Sequence, residues 1–209
     1  MPELQGPAGA ALTPEDPADQ RSTAPQQHKR PSGRLIALLV GVAVVAYALD
    51  QSTKAWASSA LDPMRPRQVV GTLLQLHLTH NPGAAFSIAT NATWLLTIIA
   101  AAVIIATIFF ARRLRSKPWA CALGLLIGGA LGNLTDRFVR APGGGRGHVV
   151  DFLELPHWPI FNVADCCVVT AACLIALLAF LGIGVDGRRV GRDDADDASQ
   201  SAAGTDDRD

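Results

Sequence analysis

Four long stretches of this chain carry no charged residue, and that pattern constrains the fold more than any other. They cover residues 35–49, 92–111, 118–135 and 166–185, and are 15, 20, 18 and 20 residues long. A helix crosses the hydrocarbon core of a bilayer in about 20 residues, with a range of roughly 17–25. The second and fourth stretches reach that length unaided. The first reaches it by continuing through Asp50 and Lys54 to Trp56, and the third by taking in the charged residues at its end. A single stretch of this kind fits a buried helix of a soluble domain. Four of them between residues 35 and 185 predict a mainly α-helical membrane fold with four transmembrane helices.

The placement of charge agrees. Of 18 acidic residues, only Asp50, Asp62, Asp136, Asp151, Glu154 and Asp165 lie between residues 35 and 185, and the other 12 sit in the tails. A soluble domain distributes charge over its whole surface. The 49% hydrophobic content excludes disorder of the middle. Lys and Arg balance Asp and Glu at 18 each, so net charge points to no nucleic acid or other polyanion. The tails, 1–33 and 186–209, have no apolar period and read as disordered, flanking a membrane domain at 34–185.

Basic residues set the orientation. Arg21, Lys29, Arg30 and Arg34 precede the first stretch, and Arg112, Arg113, Arg115 and Lys117 link the second to the third. Arg188, Arg189, Arg192 and Arg208 follow the fourth. Four spans put these 12 on one side, against six elsewhere, and the positive-inside bias makes that side cytoplasmic. Both termini are then cytoplasmic, and the segments 57–91 and 138–161 face outward. Residues 74–79 alternate apolar and polar, which predicts a strand with one buried face. Asn81-Pro82-Gly83 after it marks a tight turn. A small extracytoplasmic β-sheet is expected there, whereas Pro142-Gly143-Gly144-Gly145 reads as a flexible loop.

At about 1.5 Å of rise per residue, Asp50, Asp136 and Asp165 all fall near the outer edge of a core about 30 Å thick. Carboxylates at that depth need a partner or a function. Asp50 has Lys54 one turn away, so an ion pair within the helix is available. Asp136 is followed by Arg137 and has Asn133 one turn earlier, so pairing or capping competes with chemistry. Asp151 and Asp165 have no cation within four residues in sequence, and only 14 residues separate them. If the connection folds back, the two carboxyls can share a proton, leaving one as a base that activates water. A dyad of Asp151 with Asp165 and pairings involving Asp136 both remain open on these grounds.

Other chemistries have weaker support. Ser52 or Thr53 with Lys54 suggests a hydroxyl and amine pair, but neighbouring residues on a helix diverge in direction. His77 and His80 suggest a metal, yet a strand points them to opposite faces and no H-E-x-x-H is present. No metal or other cofactor is expected. Gly128-Gly129-Ala130-Leu131-Gly132 suits close helix packing rather than phosphate binding. Cys121, Cys166, Cys167 and Cys173 fall within the apolar stretches and read as packing residues. A four-helix transporter relaying protons is the alternative from another class. It would place its ionisable groups at the bilayer midplane and show repeat symmetry. An outward-facing lipid-phosphate enzyme is a third reading.

Five motifs occur in order: Asp50-Gln51-Ser52-Thr53-Lys54; Asn81-Pro82-Gly83-Ala84-Ala85-Phe86; Gly128 to Arg137; Val149-Val150-Asp151-Phe152; and Phe161-Asn162-Val163-Ala164-Asp165. Together they resemble bacterial lipoprotein signal peptidase, signal peptidase II, over residues 35–185. The resemblance implies an aspartic endopeptidase of the bacterial plasma membrane. Such an enzyme removes signal peptides from prolipoproteins, cutting just before the diacylglyceryl-modified cysteine, and is sensitive to the cyclic peptide globomycin. It implies Asp151 and Asp165 as the catalytic dyad, and Asn81, Asn133, Arg137 and Asn162 as substrate-site residues. Asp50, Lys54, Gly83 and Asp136 are then supporting residues. Prolipoproteins and membrane lipids are the expected partners of a chain acting as a monomer. The insertion over residues 140–147 departs from the family pattern and puts that loop's shape in question.

Overall fold

The computed structural model describes residues 32–83 and 93–189. Four helices and three strands follow one another as α1 (Gly33–Ala60), β1 (Arg67–Val70), β2 (Leu74–Asn81), α2 (Thr93–Ala111), α3 (Lys117–Val139), β3 (Val149–Glu154) and α4 (Val163–Phe180). All four helices are long and apolar enough to cross a membrane. Asp50 and Lys54 lie within α1, and Asp136 and Arg137 within α3, so the charged ends do belong to the helices. Val40, Val44 and Val45 of α1, Ile98 and Ile105 of α2, and Val169 and Leu177 of α4 are exposed. An apolar surface this extensive is one that a bilayer covers.

α3 packs between α1 and α4, and glycine makes the close approach possible. A Cβ on Gly128 would lie 2.6 Å from the Ala43 carbonyl of α1, and one on Gly129 2.6 Å from the Ala164 carbonyl of α4. The small-residue run thus seats two neighbours on opposite sides of α3.

α4 is shorter than the apolar stretch suggests. It stops at Phe180 instead of continuing to residue 185. Gly182, at φ 66°, donates its N–H to Ala179 O at 3.0 Å, and Ile183 N–H reaches Leu178 O at 2.9 Å. A left-handed glycine closes the helix while the composition stays apolar.

The sheet is antiparallel with order β1-β2-β3. β2 is the strand expected from alternation. β3 carries no alternation because Val149 to Phe152 are buried in succession, which leaves no solvent-facing position to mark it. Leu78, Val150 and Phe152 pack with Ala57 and Leu61, fastening the sheet to the end of α1. Trp56 meets Phe152 edge-on, with ring centroids 6.3 Å apart.

The glycine-rich loop is held at several points, contrary to its composition. Gly145 and Gly147 both donate to Arg137 O, at 3.0 and 2.8 Å, and His148 N–H reaches Ala141 O at 3.1 Å. Thr97 Oγ1 of α2 donates to Gly145 O at 2.5 Å. Backbone donors find acceptors at the end of α3, so the insertion folds back on the helix it follows. Of the two tails, all but residues 32–33 and 186–189 lie outside the described residues, as do Ala84, Ala85 and Phe86.

Candidate active site

The two acids without cations in sequence, Asp151 in β3 and Asp165 in the first turn of α4, share one hydrogen-bonding partner, Asn162. β2 and β3 pair with Thr79 opposite Asp151 and Asn81 opposite Val149. Asn81 and Asp151 are therefore diagonal neighbours on one face of the sheet. Asn81 Nδ2 donates to Asp151 Oδ2 at 2.8 Å. Asn81 Oδ1 accepts the N–H of Gly83 at 2.8 Å, and Gly83 sits at φ 106°, a conformation glycine adopts without strain.

From β3 the chain doubles back, with Phe161 bridging Leu153 through two main-chain hydrogen bonds of 2.9 Å. That return delivers Asn162 as the N-cap of α4. Its Oδ1 accepts the Asp165 N–H at 3.0 Å, and Asp165 Oδ2 accepts the Asn162 N–H at 3.1 Å, a reciprocal capping box. Asn162 Nδ2 then donates to Asp151 Oδ1 at 2.6 Å. One fully buried residue thus bonds both acids. Burial pushes the Asp151 carboxyl up to about 6. Hydrogen bonds from Asn81 and Asn162 and the Lys54 charge oppose this, and the charge of Asp165 adds to it.

Asn133 of α3 joins the same network. Its Nδ2 donates to Asp165 Oδ1 at 2.8 Å, and its Oδ1 accepts from Asn162 Nδ2 at 3.2 Å and from Lys54 Nζ at 2.8 Å. Lys54 can only donate, so it fixes which end of the Asn133 amide faces Asp165. Lys54 is fully buried, 2.9 Å from Asp50 Oδ2 and 2.9 Å from Asp136 Oδ2. Three donors meet three acceptors, which is what a buried ammonium needs.

The remaining acids are engaged. Asp50 Oδ1 accepts the Ala164 N–H at 2.9 Å, so α1 caps the first turn of α4. Asp136 pairs with Arg140 Nε at 2.7 Å as well as with Lys54, and accepts the Val150 N–H at 3.3 Å. Its cation partners are Arg140 and Lys54, not the adjacent Arg137. Arg137 is buried, its Nη1 is enclosed without a hydrogen-bond partner among the described residues, and its charge acts on Asp151, Asp136 and Asp165.

The geometry counts against the hydroxyl and amine pair. Thr53 Oγ1 donates to Leu49 O at 2.8 Å and to Asp50 O at 2.9 Å, Ser52 is exposed, and Lys54 is fully occupied. His77 Nδ1 lies 2.9 Å from Glu154 Oε2, a cross-strand pair that sequence reasoning missed. Gln51 was missed too; its Nε2 ties Asp50 Oδ2 to Gly132 O at 3.0 and 3.1 Å. The i+4 spacing of Arg140 from Asp136 was the available signal for that pair. Beside Asp151 lies a cavity of about 220 Å³, bordered by Thr79, Asn81, Pro82, Pro159 and Ile160.

A family model described as "Signal peptidase (SPase) II" matches residues 42–181. A lipoprotein signal peptidase of Rhodococcus jostii is 48% identical over 177 residues, covering 85% of this chain and 87% of that one. One of Mycobacterium avium is 48% identical over 186 residues, covering 88% of this chain and 100% of that one. A solved structure described as a bacterial membrane enzyme at 2.3 Å resolution superposes with a TM-score of 0.61 at 28% identity. It covers 69% of this chain and 88% of that one. By sequence and fold, the chain belongs to the signal peptidase II family of membrane proteases.

Proposed function

We propose that this chain removes signal peptides from diacylglyceryl-modified prolipoproteins, using Asp151 and Asp165 to activate the attacking water. The observation that carries the reading is the pair of hydrogen bonds that Asn162 donates, one to each acid. Family membership supports the substrate class, and the geometry supports the aspartic mechanism.

The reaction needs one proton shared between two carboxyls. Burial raises the Asp151 carboxyl toward its protonated form, and closure of substrate over the site removes water and favours that form further. Asp165 accepts a proton from water as the water oxygen adds to the scissile carbonyl carbon. Asp151 donates to the developing oxyanion, and the buried positive charge of Arg137 favours the negative charge that develops there. Collapse breaks the C–N bond. The proton passes to the leaving cysteine nitrogen, giving a signal peptide with a new carboxylate and a lipidated cysteine with a free amine.

Asn81, Asn133 and Asn162 hold the dyad in place, while Asp50, Lys54, Gly83 and Asp136 hold the elements that carry it. The basic flanks put both termini in the cytoplasm and the site at the outer face of a bacterial plasma membrane. There the acyl chains hold the cysteine at the surface and the signal helix lies in the bilayer, so positioning supplies much of the rate. The chain acts as a monomer. The test is cleavage of purified prolipoprotein in micelles, with the product mass read directly. A cut immediately before the lipidated cysteine, blocked by globomycin and absent for unlipidated precursor, supports the reading. Equal cleavage of both precursors overturns it.

A further inference from the structure

The end of the bundle opposite the dyad carries a second charged feature that the proteolytic site does not use. In the link between α2 and α3, Arg112, Arg113 and Arg115 are exposed, as is Lys117 at the start of α3. After α4, Ile183 bridges Arg189 and the chain doubles back on itself. This turn is docked on the link. Arg115 N–H donates to Val185 O at 2.9 Å, and Trp119 Nε1 donates to Ile183 O at 2.8 Å. Gly187, at φ 78°, lies against the Arg115 backbone, where a Cβ would be 3.5 Å from its carbonyl oxygen.

Docking therefore sets exposed Arg188 and Arg189 beside a link far removed in sequence. Among the described residues Asp186 is the one acid in this region, and its Oδ1 accepts the Arg188 N–H at 3.2 Å. Topology requires only that basic residues flank the spans. It does not require two basic segments to be held together by specific hydrogen bonds. The last turns of α2 and α4, at this same end of the bundle, also present exposed Phe109, Phe110 and Phe180. Guanidinium groups and exposed apolar side chains at one end of the bundle match a phosphodiester with its acyl chains.

We propose that the docked turn and the link form a headgroup site for an anionic phospholipid of the inner leaflet. The choice of leaflet rests on the orientation given above for the enzyme, while the binding itself does not. The probe is phosphatidylglycerol, compared with phosphatidylcholine, added to the purified full chain in micelles. Native mass spectrometry reads binding and thermal unfolding reads stabilisation. Phosphatidylglycerol is expected to bind selectively and raise the unfolding midpoint. Arg188→Gln with Arg189→Gln should weaken its apparent affinity roughly 30-fold. Arg113→Gln with Lys117→Gln, which leaves the turn intact, should produce a comparable loss. Arg34→Gln should keep the binding, and prolipoprotein cleavage should continue in every variant because the dyad is at the other end. That separates failure of this proposal from failure of the proteolytic reading.

Equal response to the two lipids, or undiminished binding in both double variants, overturns the site. So does equal stabilisation by inorganic phosphate, which would assign the arginines to free phosphate. A lipid response that emerges only after Asp193, Asp194, Asp196 and Asp197 are changed to Asn would give the arginines to the chain's own acidic tail, and overturns it as well.

Discussion

Asn162 bonds Asp151 and Asp165 at once, through Nδ2 to Asp151 Oδ1 at 2.6 Å and through its main-chain N–H to Asp165 Oδ2 at 3.1 Å. The residue is both a helix cap and the clamp of a dyad. Asn162→Ala removes a cap, a change of about 1 kcal/mol in stability. It also frees Asp151 to rotate, and misplacement by about 1 Å is enough for a loss near 100-fold in rate. The expected result is a nearly normal unfolding midpoint with turnover down at least about 100-fold. Turnover within a few-fold of wild type would show that the clamp is dispensable.

Lys54→Met should act on folding before chemistry. It leaves Asp50 and Asp136 buried without their shared cation, a loss of about 3–5 kcal/mol for a broken buried pair. The Asn133 amide also loses the donor that orients it, so turnover falls modestly. Folded yield measured by size-exclusion chromatography should drop more than turnover per folded molecule. The reverse would revive a role for the amine in chemistry, which the Thr53 and Lys54 hydrogen bonds argue against.

Stability should depend on pH through Asp151. Its carboxyl rises from the ordinary 3.8 to about 6 on folding. A raised carboxyl contributes stability that is present in full below its unfolded value and is lost as pH rises through about 6. At about 1.4 kcal/mol per pKa unit, the loss is on the order of 3 kcal/mol. Thermal unfolding followed from pH 4 to pH 8 should show this decline in wild type and lack it in Asp151→Asn. An identical decline in both proteins would assign the effect to another group.

The helices were legible in sequence because a bilayer demands length and apolarity, and both are written in composition. The end of α4 was not, because Gly182 stops the helix while Ile183 and Val185 keep the stretch apolar. β3 was hidden because it is buried on both faces and so lacks alternation. Among the site residues, the pairing of Asp50 with Lys54 followed from helix periodicity. The convergence of Asn81, Asn133 and Asn162 on the two acids is tertiary, and only the motif resemblance pointed to it. The partners of Asp136 were misjudged because a residue adjacent on a helix points away, whereas Arg140, one turn on, lies on the same side.

Cleavage by dyad variants, measured as the mobility shift of a purified diacylglyceryl prolipoprotein in micelles with thermal unfolding on the same samples, tests the central claim most directly. Asp151→Asn and Asp165→Asn should each abolish the shift, since Asn keeps the shape but cannot exchange the proton. Both should remain folded, with Asp151→Asn at least as stable as wild type at neutral pH. Asp136→Asn, which weakens pairs to Lys54 and Arg140, should be less stable yet keep measurable cleavage. Full activity in Asp151→Asn, together with a dead but well-folded Asp136→Asn, would move the catalytic role to Asp136 and contradict the account.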